Sequence, residues 1–147
     1  MEYINITLKG NDQKDYQLSD FKGQKIILYF YPKDNTSGCT IEAKDFSHYR
    51  KDFEALGYKI IGVSKDSVRS HINFTDKQDL SILLLSDPDQ LLIKAFDVLQ
   101  EKQMYGKTYL GVVRSTFILD EQGHIIESYR NVKAKTHVES LLKTLKA

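Results

Sequence analysis

The feature that most constrains this chain is the segment Lys25-Ile26-Ile27-Leu28-Tyr29-Phe30-Tyr31. From Ile26 onward it is apolar at odd and even positions alike, so a strand here presents hydrophobic side chains to both faces of its sheet. Such a strand needs cover on both sides. That predicts an α/β architecture, a central mixed sheet with helices on both faces. Pro32 ends the strand, since it brings no N–H to the ladder. The remaining sequence supplies matching parts. Tyr58–Val63 and Ile82–Leu85 read as further buried strands. Cys39–Leu56 reads as one helix, with Ala43, Phe46, Tyr49, Phe53 and Leu56 at spacings of three and four, closed by Gly57. Asp66–Gln78 is a weaker helix with Val68 and Ile72 inward, and Asp87-Pro88 opens a short one that buries Leu91, Leu92, Ala95 and Phe96.

The chain ends complete the pattern. Ile4, Ile6 and Leu8 alternate with polar residues, Gly10-Asn11-Asp12 marks a turn, and Tyr16 and Leu18 fit a returning strand, an N-terminal β-hairpin. Val113–Leu119 and His124–Tyr129 flank the hairpin signal Asp120-Glu121-Gln122-Gly123. Thr136–Lys146 carries Val138, Leu141, Leu142 and Leu145 on one helical face. Asp97–Val112 shows no period and is expected to be a long functional or mobile loop.

At 147 residues the chain is expected to be one domain over 1–147, with no repeat and no linker. Twenty-one basic against 20 acidic side chains leave +1, so no broad field recruits nucleic acid or an anionic membrane. The longest apolar runs are far too short to span a bilayer. Met1-Glu2-Tyr3-Ile4-Asn5 is unlike a leader peptide. A single cysteine rules out an internal disulfide and any CxxC device. A reduced, cytoplasmic protein is expected.

Several motifs fail on inspection. Gly106-Lys107-Thr108 imitates the end of a phosphate-binding loop, but position 101 is Glu101 where the first glycine should stand. The sequons at Asn5, Asn35 and Asn73 matter only in a secreted chain. His48, His71, His124 and His137 do not pair with one another or with Cys39 at ligand spacing, and are expected as solvated side chains, so no metal site is expected. Asp87-Pro88-Asp89 lacks the glycine and closing glutamate of a calcium loop.

The informative segment is Pro32-Lys33-Asp34-Asn35-Thr36-Ser37-Gly38-Cys39-Thr40, between a buried strand and a helix. Cys39 falls in the first helical turn, yet it also continues the stripe of Ala43 and Phe46. On spacing alone a buried core thiol and a reactive thiol stand level. Three features favour reactivity. A helix N-terminus offers unpaired N–H groups and a positive dipole end. Thr36-Ser37-Gly38 supplies hydroxyls and a flexible backbone, and Pro32 would shield one side of the sulfur. A tyrosine-phosphatase reading requires arginine six residues after the cysteine, where Asp45 stands. A papain-like hydrolase needs a paired histidine and a longer chain.

Pro32-x-x-x-Thr36-x-x-Cys39 resembles the peroxidatic signature of the peroxiredoxins. Phe30-Tyr31-Pro32-Lys33 with Thr36-Ser37-Gly38-Cys39-Thr40 is similar to the bacterioferritin comigratory protein, or peroxiredoxin Q, branch. The likeness continues through Leu84–Asp89, Ala95-Phe96, Gly106–Tyr109 and Arg114–Gly123. It implies a thioredoxin-like fold with an extra N-terminal hairpin, no cofactor, and a monomer. It also implies roles. Cys39 attacks a peroxide oxygen and becomes a sulfenic acid, Thr36 holds the peroxide, Arg114 stabilises the thiolate and the breaking O–O bond, and Pro32 shields. Glu42 occupies the position where the family often carries a polar residue that positions this arginine. Apart from the resemblance, the backbone N–H groups near Gly38 and Cys39 can meet the charge that builds on the departing oxygen. The branch usually carries a resolving cysteine five residues after the first, here Lys44, or in a later helix near what is Ile93. Neither is a thiol. The resemblance therefore implies a one-cysteine enzyme recycled by an external thiol: a small thiol, a thioredoxin-type protein, or Cys39 of a second copy.

The chemistry demands more than ionisation. A free thiol is about 3% thiolate at pH 7. Full ionisation gains about thirtyfold, and the accompanying loss of nucleophilicity costs about tenfold. Most of the acceleration must come from groups aimed at charge on the departing oxygen, each worth about 3–4 kcal/mol. The enzyme reading requires an exposed sulfur with Arg114 beside it. Its rivals are a non-catalytic thioredoxin-like redox sensor or binding module, and a structural thiol.

Overall fold

The computed structural model describes residues 2–147; Met1, the first residue of the segment read as unlike a leader, lies outside them. Among the described residues there are nine strands and five α-helices. They are β1 (Leu8–Gly10), β2 (Asp15–Tyr16), β3 (Lys25–Phe30), α1 (Ser37–His48), α2 (Arg50–Ala55), β4 (Tyr58–Ser64), α3 (Val68–Gln78), β5 (Leu83–Ser86), α4 (Leu91–Ala95), β6 (Leu99–Met104), β7 (Lys107–Val112), β8 (Ser115–Leu119), β9 (Ile125–Tyr129) and α5 (His137–Lys146). Seven strands form one mixed sheet in the order β2-β1-β5-β4-β3-β8-β9. β3, β4 and β5 run parallel, while β8 and β1 flank them antiparallel.

The two-sided strand expected from the sequence is β3, near the middle of this sheet. Ile26, Leu28 and Phe30 face one core with Leu92, Ile93 and Phe96 around α4. Ile27, Tyr29 and Tyr31 face the other, with Ala43, Phe46, Phe53, Phe74 and Val138 from α1, α2, α3 and α5. Alternation along a strand divides the side chains between the two cores.

Five expectations need correction. The helix read as continuous over Cys39–Leu56 begins at Ser37 and is interrupted at Tyr49 (φ −96°, ψ 10°). Ser81 explains the break. Its hydroxyl donates to the Ser47 carbonyl at 3.4 Å and its N–H donates to Ser47 Oγ at 3.0 Å, so a neighbouring side chain enters the helical ladder. Beyond it the stripe drifts, leaving Leu56 exposed. Gly57 does cap, at φ +92°. In α3 the fully inward residues are His71 and Phe74 rather than Val68 and Ile72. In α4, Leu91 and Ala95 face out, and Leu92, Ile93 and Phe96 face in. The Asp87 carboxylate accepts from the Leu91 and Ile93 N–H groups, which rotates the short helix so. The N-terminal strand shrinks to Leu8–Gly10, with Ile4 in a 3₁₀ turn.

The segment Asp97–Val112 is not a structureless loop. β6 and β7 pair in register from Leu99↔Val112 to Met104↔Lys107 as a separate two-stranded ribbon. Its side chains are mostly exposed, so hydrophobic period was a poor guide. Gly106-Lys107-Thr108 lies at the ribbon's turn, away from any strand-to-helix phosphate cradle. No described helix is long and apolar enough to cross a membrane.

Candidate active site

The site is assembled where β3 ends and α1 begins. Thr36 is the N-cap of α1, with extended backbone (φ −84°, ψ 156°). The first helical bond runs from the Thr40 N–H to the Thr36 carbonyl at 2.9 Å. The N–H groups of Ser37, Gly38 and Cys39 precede that ladder, at the positive end of the helix. An N-cap threonine ordinarily spends its oxygen on these donors. Thr36 instead donates its hydroxyl hydrogen to the Lys33 carbonyl at 2.9 Å. Its lone pairs are thereby left to accept from a substrate O–H.

Cys39 is 1% exposed, against the accessible sulfur that the enzyme reading calls for. Its place on the stripe of Ala43 and Phe46 carries it into the core containing Tyr29 and Tyr31. It is not a plain core thiol, however. Arg114, just ahead of β8, directs Nη2 at Cys39 Sγ across 3.4 Å and donates through Nη1 to Glu42 Oε1 at 2.8 Å. One guanidinium thus bridges a sulfur and a carboxylate one helical turn apart on α1. Gly38 makes the approach feasible. A Cβ on it would stand 3.0 Å from Arg114 Nη2 and 3.5 Å from the Ala134 Cβ.

The electrostatics follow from burial. Burial pushes the Glu42 carboxyl up to about 7, against the pull of Arg114. Burial also pulls the Arg114 pKa down, but Glu42 and the Cys39 sulfur outweigh it and the guanidinium is held above its ordinary value. Glu42 Oε2 and the Tyr29 hydroxyl are buried without a hydrogen-bond partner. A cavity of about 320 Å³ opens beside this cluster. Pro32 and Thr36 form part of its wall, with Leu99, Lys102, Leu110 and Val112 of the β6–β7 ribbon opposite.

Thus Cys39, Arg114, Glu42 and Gly38 meet in one cluster, while Thr36 and Pro32 border the neighbouring cavity. Three residues around the site were not placed by the sequence reading. Lys102 reaches in from the ribbon, donating to the Val112 carbonyl at 2.7 Å; burial, then Arg114, lowers its pKa. His71 and His137, expected to be solvated, are buried. Each finds a polar partner, His71 on Asp34 and His137 on Thr116 Oγ1 at 2.8 Å, which is what lets a ring of that polarity enter a core. For His71 the available signal was its position three residues before Phe74 on α3.

The profile of the AhpC/TSA family matches residues 2–128. The chain belongs to that family. It is 48% identical over 142 residues to peroxiredoxin Bcp of Bacillus subtilis, covering 97% of this chain and 90% of that protein. With peroxiredoxin Bcp of Xanthomonas campestris it shares 46% over 144 residues, covering 98% and 89%. Among solved structures it matches a trapped intermediate/ligand complex of the Xanthomonas campestris bacterioferritin comigratory protein, described for its alkyl peroxide reduction activity, at TM-score 0.93 and 42% identity, covering 99% of this chain and 92% of that one. The chain is therefore a peroxiredoxin of the Bcp/Q branch with the thioredoxin-like fold, and a thiol-dependent peroxidase. Its sequence holds one cysteine.

Proposed function

We propose that this peroxiredoxin reduces hydrogen peroxide and organic hydroperoxides through Cys39, by a one-cysteine cycle. The Cys39 thiolate attacks the terminal oxygen of the peroxide in line with the O–O bond. The S–O bond forms as the O–O bond breaks, and the second oxygen leaves as hydroxide or alkoxide and takes a proton from water. The products are Cys39 sulfenic acid and water or an alcohol. One external thiol then attacks the sulfenic sulfur and expels water. A second thiol displaces the resulting mixed disulfide and restores Cys39.

Arg114 meets the charge that moves from sulfur to the departing oxygen, and Glu42 holds the guanidinium in place. Thr36 accepts from the peroxide O–H and fixes its line of approach. The Gly38 and Cys39 N–H groups add donors at the helix start, and Pro32 walls the adjoining cavity. The observation that carries this reading is the bridging guanidinium, 3.4 Å from the sulfur and 2.8 Å from Glu42. A structural thiol has no use for a half-buried cation aimed at it. The reductant is a thioredoxin-type protein or a small thiol, because Lys44 and Ile93 stand at both familiar resolving positions. We further read the protein as a cytoplasmic monomer folded as one domain over 1–147.

The test is sustained consumption of hydrogen peroxide with excess dithiothreitol or thioredoxin, for the wild type and Cys39→Ser. Many turnovers by the wild type and none by the variant are expected. Residual turnover by Cys39→Ser would assign the chemistry elsewhere. A single stoichiometric oxidation that stops at sulfenic or sulfinic acid would make the protein a redox sensor instead.

A further inference from the structure

The loop between β3 and α1 carries Thr36, whose carbonyl starts the α1 ladder but whose hydroxyl is tied only to Lys33 within that same loop. What fixes the loop to the body of the protein is Asp34. This residue is 5% exposed, two positions before Thr36, with Asn35 between them in the left-handed region at φ +63°. Asparagine is among the residues that tolerate that conformation best, and here it turns the chain between Asp34 and Thr36.

Asp34 is held from several elements. Asp34 Oδ1 accepts from the Tyr31 hydroxyl at 2.6 Å. Asp34 Oδ2 accepts from Ser70 Oγ at 2.8 Å and meets His71 Nδ1 at 2.7 Å. The Asp34 N–H donates to Asp66 Oδ2 at 2.9 Å, and that oxygen also accepts from Ser64 Oγ at 2.6 Å. The opposite ring nitrogen, His71 Nε2, lies 3.0 Å from the Leu85 carbonyl. A carbonyl can only accept, so Nε2 carries a hydrogen. The Nδ1–Oδ2 contact then holds a single proton between two polar atoms that are nearly sealed from water. His71 is 0% and Tyr31 1% exposed. One polar atom from each of Asp34, Asp66 and His71 lies within 4.8 Å of the others, and protein donors occupy both carboxylates.

We propose that Asp34 and His71 are positioning residues for the peroxidase reaction: they clamp the loop to α3 and β5, and so set where the Thr36 hydroxyl stands relative to the Cys39 sulfur. The inference rests on the proposed peroxidase cycle. The clamp touches neither the sulfur nor Arg114, so its loss acts on the placing of peroxide and not on the thiol as a nucleophile. A displacement of about 1 Å at such a hydroxyl is enough to cost up to about a hundredfold.

The experiment compares two rates in each protein: kcat/KM for hydrogen peroxide, and the rate of Cys39 alkylation by iodoacetamide. The variants are Asp34→Asn and the milder Tyr31→Phe, which deletes one donor to Asp34 and keeps the ring. Each is made alone and on a Thr36→Val background. The expected result is a fall of about tenfold or more in peroxide kcat/KM for Asp34→Asn, and a smaller fall for Tyr31→Phe. Alkylation should hold or rise. On the Thr36→Val background neither substitution should reduce the peroxide rate further, since the group being positioned is already gone. Should Asp34→Asn fail to fold, Tyr31→Phe carries the same comparison. Peroxide and alkylation rates falling together, or losses fully additive with Thr36→Val, would overturn the clamp. A wild type that alkylates but consumes no peroxide would overturn the peroxidase reading beneath it.

Discussion

Glu42→Gln should change how the protein's stability depends on pH, and the structure fixes the sign. Glu42 is 0% exposed, with one oxygen on Arg114 and the other unpartnered. Burial raises its folded pKa to about 7 from a reference of 4.5. Between those values the folded chain binds more protons than the unfolded one. The contribution of Glu42 is therefore fully present below pH 4.5 and is lost as the pH rises through about 7. At about 1.4 kcal/mol per pH unit, the gap amounts to roughly 3 kcal/mol. Glutamine keeps the shape, a carbonyl for Arg114 and no charge. Urea unfolding at several pH values from 4.5 to 8, for wild type and variant, isolates the group because every other titration is common to both. Relative to wild type, Glu42→Gln should gain about 3 kcal/mol across that window. Parallel stability curves for the two proteins would refute the reasoning, because the carboxyl would then ionise alike in folded and unfolded chains.

Three further outcomes follow from the same contacts. Arg114→Lys keeps a positive charge but loses the planar fork that reaches Cys39 and Glu42 together; peroxide kcat/KM should fall about a hundredfold, measured by stopped-flow peroxide consumption. Gly38→Ala places a methyl 3.0 Å from Arg114 Nη2 in a helix that otherwise favours alanine, so melting should change little while kcat/KM drops; a rate equal to wild type would show that the guanidinium yields freely. Burial, and then Arg114, hold the His137 pKa down to about 4 from 6.5, so its contribution to stability is present above pH 6.5 and lost as the pH falls through about 4. His137→Gln should accordingly flatten the acid limb of the stability curve followed by circular dichroism.

Much of the architecture was legible because β3 and its neighbours are apolar on both faces, and period survives wherever a core faces every residue. Legibility failed where packing and pattern part company. The ribbon of β6 and β7 exposes most of its side chains, so nothing in its hydrophobicity records that it pairs. The break at Tyr49 comes from Ser81, a residue more than 30 positions away. In the site, the order Pro32, Thr36, Gly38, Cys39 was readable because it is contiguous, and Arg114 and Glu42 only through the family resemblance. Lys102 and the pairing of Asp34 with His71 were silent. A buried histidine and a solvated one look alike until the partner that shares its proton is known. Burial of Cys39 itself was the even-handed case. The helical stripe that marked it as core was right about where the sulfur sits, and wrong only if taken to mean an inert one.

The two positions where the family resemblance would place a second thiol hold side chains in opposite surroundings. Lys44 points to solvent from α1, and Ile93 is locked, 0% exposed, in the core on the far side of the sheet. With no internal partner, the second half of each cycle depends on encounter. Throughput then tracks the surrounding thiol pool. When reductant is scarce, oxidised molecules accumulate as a record of peroxide already met.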